Sequence, residues 1–210
     1  MVSVGYIILS CKPFLQTRAK MQRETWLSKV PQDSYVFLTG AISSNEPNVI
    51  NTNLADSYET CPKRYYQYIQ HNVMNAYDWV MFVHDDTFIF PERLNKLLEG
   101  LDPSKRQYVG HELTWPIMYM SGGAGFALSR SAYSALREYL LVTPREKLEF
   151  HESGDATVGL WLKYIDGLER INSTLFNCNP HTHGESSKTD VAISYHYVTE
   201  ELFKVYGGMS

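Results

Sequence analysis

Two adjacent carboxylates close the apolar run Trp79-Val-Met-Phe-Val-His-Asp-Asp-Thr-Phe-Ile89. Residues 79–83 read as a short, fully buried strand, so Asp85 and Asp86 stand just past its carboxyl end, where ligands bind in open α/β sheets. Carboxylates gathered there, with oxygens from a diphosphate, form the hard-oxygen shell that Mg²⁺ or Mn²⁺ prefers. Such an ion neutralises a leaving diphosphate. Taken alone, the pair also reads as a cap for the helix that starts near Pro91, or as a solvated turn.

Three further stretches carry residue types that fit the same chemistry. Trp115-Pro-Ile-Met-Tyr-Met-Ser-Gly-Gly-Ala-Gly125 puts three glycines in four residues, where backbone can approach a ligand closely and offer N–H donors; tight packing explains glycines equally well. Ser153-Gly-Asp-Ala-Thr-Val-Gly-Leu-Trp161 sets Asp155 at the start of an apolar helix, as a positioned carboxylate or as an N-cap. Ala192-Ile-Ser-Tyr-His-Tyr-Val198 embeds His196 in an aromatic strand, as a ligand or as a core histidine satisfied by hydrogen bonds.

The elements that must position these groups alternate. Residues 4–10 read as a buried strand, and 14–29, opened by Pro13, as a helix with charges on its outer face. Strands follow at Tyr35–Thr39 and 49–53, a Tyr-rich helix at 63–74, the strand at 79–83 and a short helix at Pro91–Leu98. Then come a strand at 126–128, helices at 131–140 and 155–164, and a late strand at 191–197. This order argues for an α/β sandwich with a mixed central sheet flanked by helices. At 210 residues without a Pro/Gly/Ser-rich linker, internal repeat or low-complexity tract, the chain reads as one domain spanning 1–210. The net charge of −4 gives no global reason to expect a nucleic acid partner. No apolar run approaches the length of a membrane span. Cys11, Cys61 and Cys178 are too few and scattered for a disulfide scaffold, and the sequon at Asn172 matters only in a secretory lumen. The location expected is cytoplasmic if Met1 is the natural start, and the Golgi lumen if the chain is a trimmed catalytic domain.

Read together and in order, these stretches resemble glycosyltransferase family 31, the β-1,3-glycosyltransferases that include Fringe and the core 1 β-1,3-galactosyltransferase. The resemblance begins at Thr17-Arg18 with Glu24-Thr25-Trp26 and runs through Asp56-Ser-Tyr58 with Lys63. It continues through His84-Asp85-Asp86 at the Asp-x-Asp position, Ser121-Gly-Gly-Ala-Gly125, Asp155 with Thr157 and Gly159, and Tyr195-His196-Tyr197-Val198. It implies a GT-A fold, Rossmann-like in its nucleotide-sugar binding, with Mn²⁺ (or Mg²⁺) as cofactor and a UDP-sugar as donor. The sugar would pass with inversion to a hydroxyl of a glycan, glycoprotein or other acceptor, forming a β-1,3 linkage. His84, Asp86 and His196 take the metal positions; Arg18, Asp85, Gly122 and Gly123 lie toward the nucleotide sugar; Asp155 is the general base. The acceptor would be selected by loops such as 110–118 and 176–189.

Two departures from the family pattern stand out. His84 replaces the usual first acidic residue of the metal triplet, exchanging an anionic oxygen for an imidazole nitrogen, and Gly154 replaces the usual acidic residue before Asp155. The late histidine has competitors in Asn177-Cys-Asn-Pro-His-Thr-His183, namely His181 and His183. A catalytically impaired nucleotide-sugar or glycan-binding protein of the same fold fits those departures as well. An Fe(II) dioxygenase using His84-x-Asp86 with His196 is a further alternative. It is opposed by the absence of an Arg after His196, where only Lys204 follows, and by a chain less strand-rich than such barrels.

Overall fold

The apolar run at the amino end becomes the centre of the molecule. In the computed structural model, which describes residues 2–43, 45–71, 74, 76–115, 117–179 and 191–208, β1 (Val4–Leu9) is buried along its whole length. It pairs in parallel with β2 (Tyr35–Thr39) on one side and β4 (Trp79–His84) on the other, Leu9 lying opposite His84. β3 (Val49–Asn51) extends one edge. Beyond β4, β9 (Phe126–Ser129) runs antiparallel between β4 and β6 (Gln107–Gly110), and β10 (Glu169–Asn172) lies parallel to β6. The order β10-β6-β9-β4-β1-β2-β3 makes the mixed sheet expected from the alternation of elements.

Both faces of the sheet are covered, so its strands are apolar on both sides. Tyr6, Ile8, Met81 and Val83 point into one core with Ala19 of α2 (Arg18–Glu24), Leu94 of α4 (Pro91–Leu98) and Phe203 of α7 (Glu200–Gly207). Ile7, Leu9, Val80 and Phe82 point into the other. There they meet Tyr65 and Ile69 of α3 (Cys61–His71), Leu136 of α5 (Arg130–Val142) and Trp161 of α6 (Gly154–Leu162). Among the described residues, no helix is long and apolar enough to cross a membrane.

The helix expected over 14–29 is divided into α1 (Lys12–Leu15), α2 and a 3-10 turn, Trp26–Lys29. The breaks fall at Thr17 (φ −120°, ψ −90°) and Thr25 (φ −116°, ψ −105°). The Thr25 hydroxyl donates to the Met21 carbonyl at 2.6 Å, a local bond that competes with continued helix. Dividing the helix brings Arg18 to the start of α2 at the sheet's carboxyl edge.

The strand expected over 191–197 shrinks to β12 (Ser194–Tyr195), the middle strand of a small sheet between β11 (Phe176–Asn177) and β5 (Phe88–Ile89). His196 therefore follows the strand rather than lying inside it. Its neighbourhood is tied to β4 by the Val198 N–H, which donates to the Asp86 carbonyl at 2.9 Å. A third ribbon pairs β7 (Glu112–Leu113) with β8 (Tyr119–Met120).

The turn after β4 is held from behind by Gln22. This fully buried side chain donates to the His84 carbonyl at 2.9 Å and to the Thr87 carbonyl at 2.8 Å. Replacing it by an apolar side chain removes the donor to the Thr87 carbonyl and leaves the His84 carbonyl only the Thr87 N–H. Gln22→Met is expected to lower stability by about 1–3 kcal/mol, measured by urea denaturation, the usual cost of an orphaned buried polar group.

Candidate active site

At the carboxyl end of β4 the chain turns through His84, Asp85 and Asp86, and the Thr87 N–H closes the turn on the His84 carbonyl at 3.2 Å. Asp85 points back toward β1. Its Oδ2 accepts from the Ser10 hydroxyl at 2.7 Å and its Oδ1 lies 3.3 Å from Arg18 Nη1. The same Arg18 nitrogen is 3.5 Å from Asp86 Oδ2, and its guanidinium sits 4.0 Å above the Phe14 ring. The other oxygen of Asp86 lies 3.3 Å from His196 Nε2. His84 completes the group, its ring centroid 5.8 Å from that of His196. One donor atom each from His84, Asp86 and His196 lie within 4.8 Å of one another. Two imidazoles and one carboxylate so arranged fit a divalent transition-metal ion.

Enclosure sets the charges here. Burial pushes the Asp85 carboxyl up to about 6, against the pull of the Ser10 hydrogen bond and Arg18. Burial acts on Asp86 as well, but the hydrogen bond and charge of His196, with His84 and Arg18, outweigh it and hold its carboxyl below the usual range. Burial also holds the His84 imidazole below the usual histidine range, although Asp155 and Asp86 pull the other way.

The glycine segment forms the floor. The Gly125 N–H donates to the Gly122 carbonyl at 3.1 Å, and Gly125 sits at φ +83°, in the region only glycine occupies at no cost. Gly122 and Gly123 place bare backbone against the cluster. A side-chain carbon on Gly123 would lie 2.1 Å from His196 Cε1, and one on Gly122 would lie 3.1 Å from His84 Nε2 and 3.2 Å from Asp155 Oδ2. These glycines thus let protein side chains approach each other.

Asp155 sits in the first turn of α6, where Ser153 and not Asp155 is the N-cap residue. Its Oδ2 accepts from the Gly122 N–H at 2.8 Å and its Oδ1 from the Ala156 N–H at 2.9 Å. The bare backbone of Gly122 thus lies beside both this carboxylate and His84. Gly154 is constrained from the other side: a side-chain carbon there would meet the Tyr65 ring at 2.8 Å. The groups converge on a cavity of about 670 Å³, with Arg18, His84, Asp86, Asp155, Tyr58 and Tyr197 in its wall.

Arg18, His84, Asp85, Asp86, Gly122, Gly123, Asp155 and His196 meet here, whereas Trp26 lies in the core; His181 and His183 lie outside the described residues. Three others were given no role in the sequence reading. Gln22 supports the turn as described. Arg64 is 1% exposed, 3.4 Å from Asp56, and donates to the Ser10 carbonyl at 2.8 Å, bracing the cavity wall. Its spacing from Cys61 and Tyr68 puts it on the buried stripe of α3, a signal available in the sequence. Tyr197 has φ +56°, unusual for a bulky side chain, and stacks on His196 with ring centroids 3.7 Å apart.

Residues 4–209 match the sequence pattern of a family described as Fringe-like. The chain belongs to the Fringe-like family. This Fringe-like chain is 23% identical over 224 residues to the β-1,3-N-acetylglucosaminyltransferase radical fringe of Gallus gallus, a match covering 90% of this chain and 59% of that protein. It is also 23% identical over 186 residues to chondroitin sulfate synthase 3 of Mus musculus, covering 78% of this chain and 21% of the synthase. The chain spans little more than half the length of the Fringe relatives it matches. A glycosyltransferase involved in the glycosylation of the major capsid of PBCV-1 has the same fold, with a TM-score of 0.58, 15% identity, and coverage of 98% of this chain and 100% of that one. The fold is that of the GT-A glycosyltransferases. The parallel core of this sheet also removes the barrel that an Fe(II) dioxygenase would need.

Two outcomes are expected. Gly123→Ala displaces the His196 ring, so Mn²⁺ affinity measured by calorimetry falls about 10–100-fold while the metal-free fold survives. For Asp85→Asn the effect depends on pH. Below about pH 4 the carboxyl is protonated in folded and unfolded chains alike and costs nothing. As pH rises from about 4 to the folded-state value of about 6, the unfolded chain ionises while the folded one resists, so the parent loses stability that the variant keeps, and the difference levels off above that value. Metal-free melting from pH 4 to 8 should show the variant gaining on the parent.

Proposed function

We propose that this chain is a metal-dependent inverting glycosyltransferase that moves a sugar from a UDP-sugar to an acceptor hydroxyl, forming a β-1,3 linkage. The observation that carries the reading is that Asp155 and the His84-Asp86-His196 cluster face one cavity, with Asp155 and His84 both beside the bare backbone of Gly122. A volume of about 670 Å³ falls within the range of sites for ligands of this size. The linkage is the one in the printed name of the chicken relative, a β-1,3-N-acetylglucosaminyltransferase.

His84, Asp86 and His196 would hold Mn²⁺, which when bound supplies Lewis-acid stabilisation of the departing diphosphate. Arg18, 41% exposed at its side chain, reaches the same region and offers a second cation to the phosphates. Asp85, held by Ser10 and Arg18, lies where the nucleotide would pass. Asp155 takes the proton from the acceptor hydroxyl as its oxygen attacks the anomeric carbon and the bond to the diphosphate breaks. One such in-line displacement inverts the centre. Gly122 and Ala156 N–H groups keep the carboxylate aimed. Tyr58 and Tyr197, both more than half exposed, give the cavity mouth aromatic faces on which an acceptor sugar can lie.

The same site without turnover would be a sugar-nucleotide binding protein, and a carboxylate substitution separates the two. Asp155→Asn should bind UDP and Mn²⁺ as the parent does and lose transfer about 10²–10⁴-fold, the usual contribution of a positioned base. Transfer is measured as acceptor-dependent UDP release across a panel of UDP-sugars. Near-parental transfer by the variant removes Asp155 from the mechanism. UDP-sugar binding without any release by the parent, with or without acceptor, favours the binding protein.

A further inference from the structure

We propose that a second cavity, between the edge strand β3 and the helix α3, binds a neutral sugar ring, apart from the cavity that faces Asp155. It measures about 300 Å³, at the small end of the range for ligand sites. Its floor reaches the core: Leu38 of β2 and Tyr68 of α3 both line it and are 0% and 3% exposed. Ile50 of β3 adds a third apolar side chain.

The polar side chains around this floor are Asn51, Thr52, Asn53, Gln67 and His71. Among the described residues lining the cavity there is no carboxylate, ammonium or guanidinium group. A metal cation therefore finds no anionic oxygen here, and a phosphate finds no fixed cation. Amides carry N–H donors and a carbonyl acceptor on one side chain, which matches a ligand whose hydroxyls both donate and accept. An apolar floor ringed by a few such groups suits the C–H face of a pyranose with its hydroxyls at the rim.

These amides are oriented by bonds that occupy one end of each. Gln67 Nε2 donates to Asn53 Oδ1 at 2.6 Å, joining α3 to the segment after β3, and this leaves Gln67 Oε1 to accept and Asn53 Nδ2 to donate. The Thr39 hydroxyl donates to Asn51 Oδ1 at 2.8 Å, which leaves Asn51 Nδ2 as a donor. The Thr52 hydroxyl gives its proton to the Thr39 carbonyl at 3.0 Å and keeps its oxygen as an acceptor. Side chains held in this way lose less freedom when a ligand binds.

The segment leading from β3 to α3 borders both cavities. Asn53 lines the small one, whereas Asp56, Ser57 and Tyr58 line the large one. Asp56 ties the segment down, accepting from the Gly40 N–H at 2.8 Å and the Lys12 N–H at 2.7 Å, and the Ala41 N–H donates to the Leu54 carbonyl at 2.6 Å. A nucleotide in the large cavity and a sugar in the small one thus bind without competing.

The test is ¹⁵N NMR of the whole chain, read at the side-chain NH₂ signals of Asn51, Asn53 and Gln67. Glucose, galactose, N-acetylglucosamine and lactose are added in turn, with glucuronate and glucose 6-phosphate as charged counterparts. At least one neutral sugar is expected to shift these signals saturably, with a Kd of about 1–10 mM, and to do so equally with saturating UDP and Mn²⁺ present. Gln67→Ala should weaken that sugar about 3–10-fold, as one lost hydrogen bond would, with the backbone spectrum otherwise retained. If Gln67→Ala does not fold, Asn53→Ala takes its place. Four results would overturn the inference: no saturable shift from any neutral sugar at about 100 mM, loss of the shifts when UDP is added, tighter binding of either charged counterpart, or a folded variant that binds as the parent does. Sugar binding at these amides in a protein that transfers no sugar would sink the proposed function and leave this inference standing.

Discussion

Asp85 and Asp86 are neighbours at 4% and 8% exposure, and burying two carboxylates side by side is unfavourable unless each finds its own partner. The architecture around β4 follows from meeting that demand. Ser10, at the end of the adjoining strand, takes one oxygen of Asp85; Arg18 stands between the two residues; His196 takes the far oxygen of Asp86. Each partner comes from a different part of the chain. The parallel pairing of β1 with β4 aligns Ser10 with the turn, the break at Thr17 releases Arg18 toward it, and the small sheet carries His196 in from the carboxyl end.

Close approach is the second constraint, and it is met by leaving side chains out. Gly122 leaves free the space in which a side-chain carbon would meet both Asp155 and His84, and it offers its N–H to orient the carboxylate. Gly123 does the same beneath His196, and its carbonyl is pinned by the Thr87 hydroxyl at 2.7 Å. The glycine segment brings bare backbone close to these side chains, and Gly123 also lines the cavity.

The sheet and most helices were legible because buried strands and amphipathic helices write their periodicity into consecutive residues: the runs at β1, β2 and β4 and the helix Pro91–Leu98 coincide with expectation. The division of residues 14–29 was not legible, since Thr17 and Thr25 fit a helix by pattern and break it through backbone geometry and a local hydroxyl bond. The candidate site was visible through residue types and order, aided by family resemblance. Its supports were not. Gln22 looks like a polar position on a helix that displays charges, and its role appears only when β4 lies beneath it. The strand around His196 looked longer because Val191, Ile193, Tyr195 and Tyr197 alternate, but Tyr197 leaves the strand for a left-handed conformation.

The two departures from the family pattern have a common electrostatic logic. An acidic residue at position 84 would add another anion beside Asp86 and Asp155, in a wall whose cations are Arg18, already shared by two carboxylates, and Arg64, already bonded to Asp56 and backbone carbonyls. An acidic residue at position 154 would do the same at the mouth of α6, where the Tyr65 ring leaves no room for it. An imidazole carries no such burden, because burial holds His84 below the usual histidine range where it would force a carboxylate to seek a partner. The fold then has fewer buried anions to compensate.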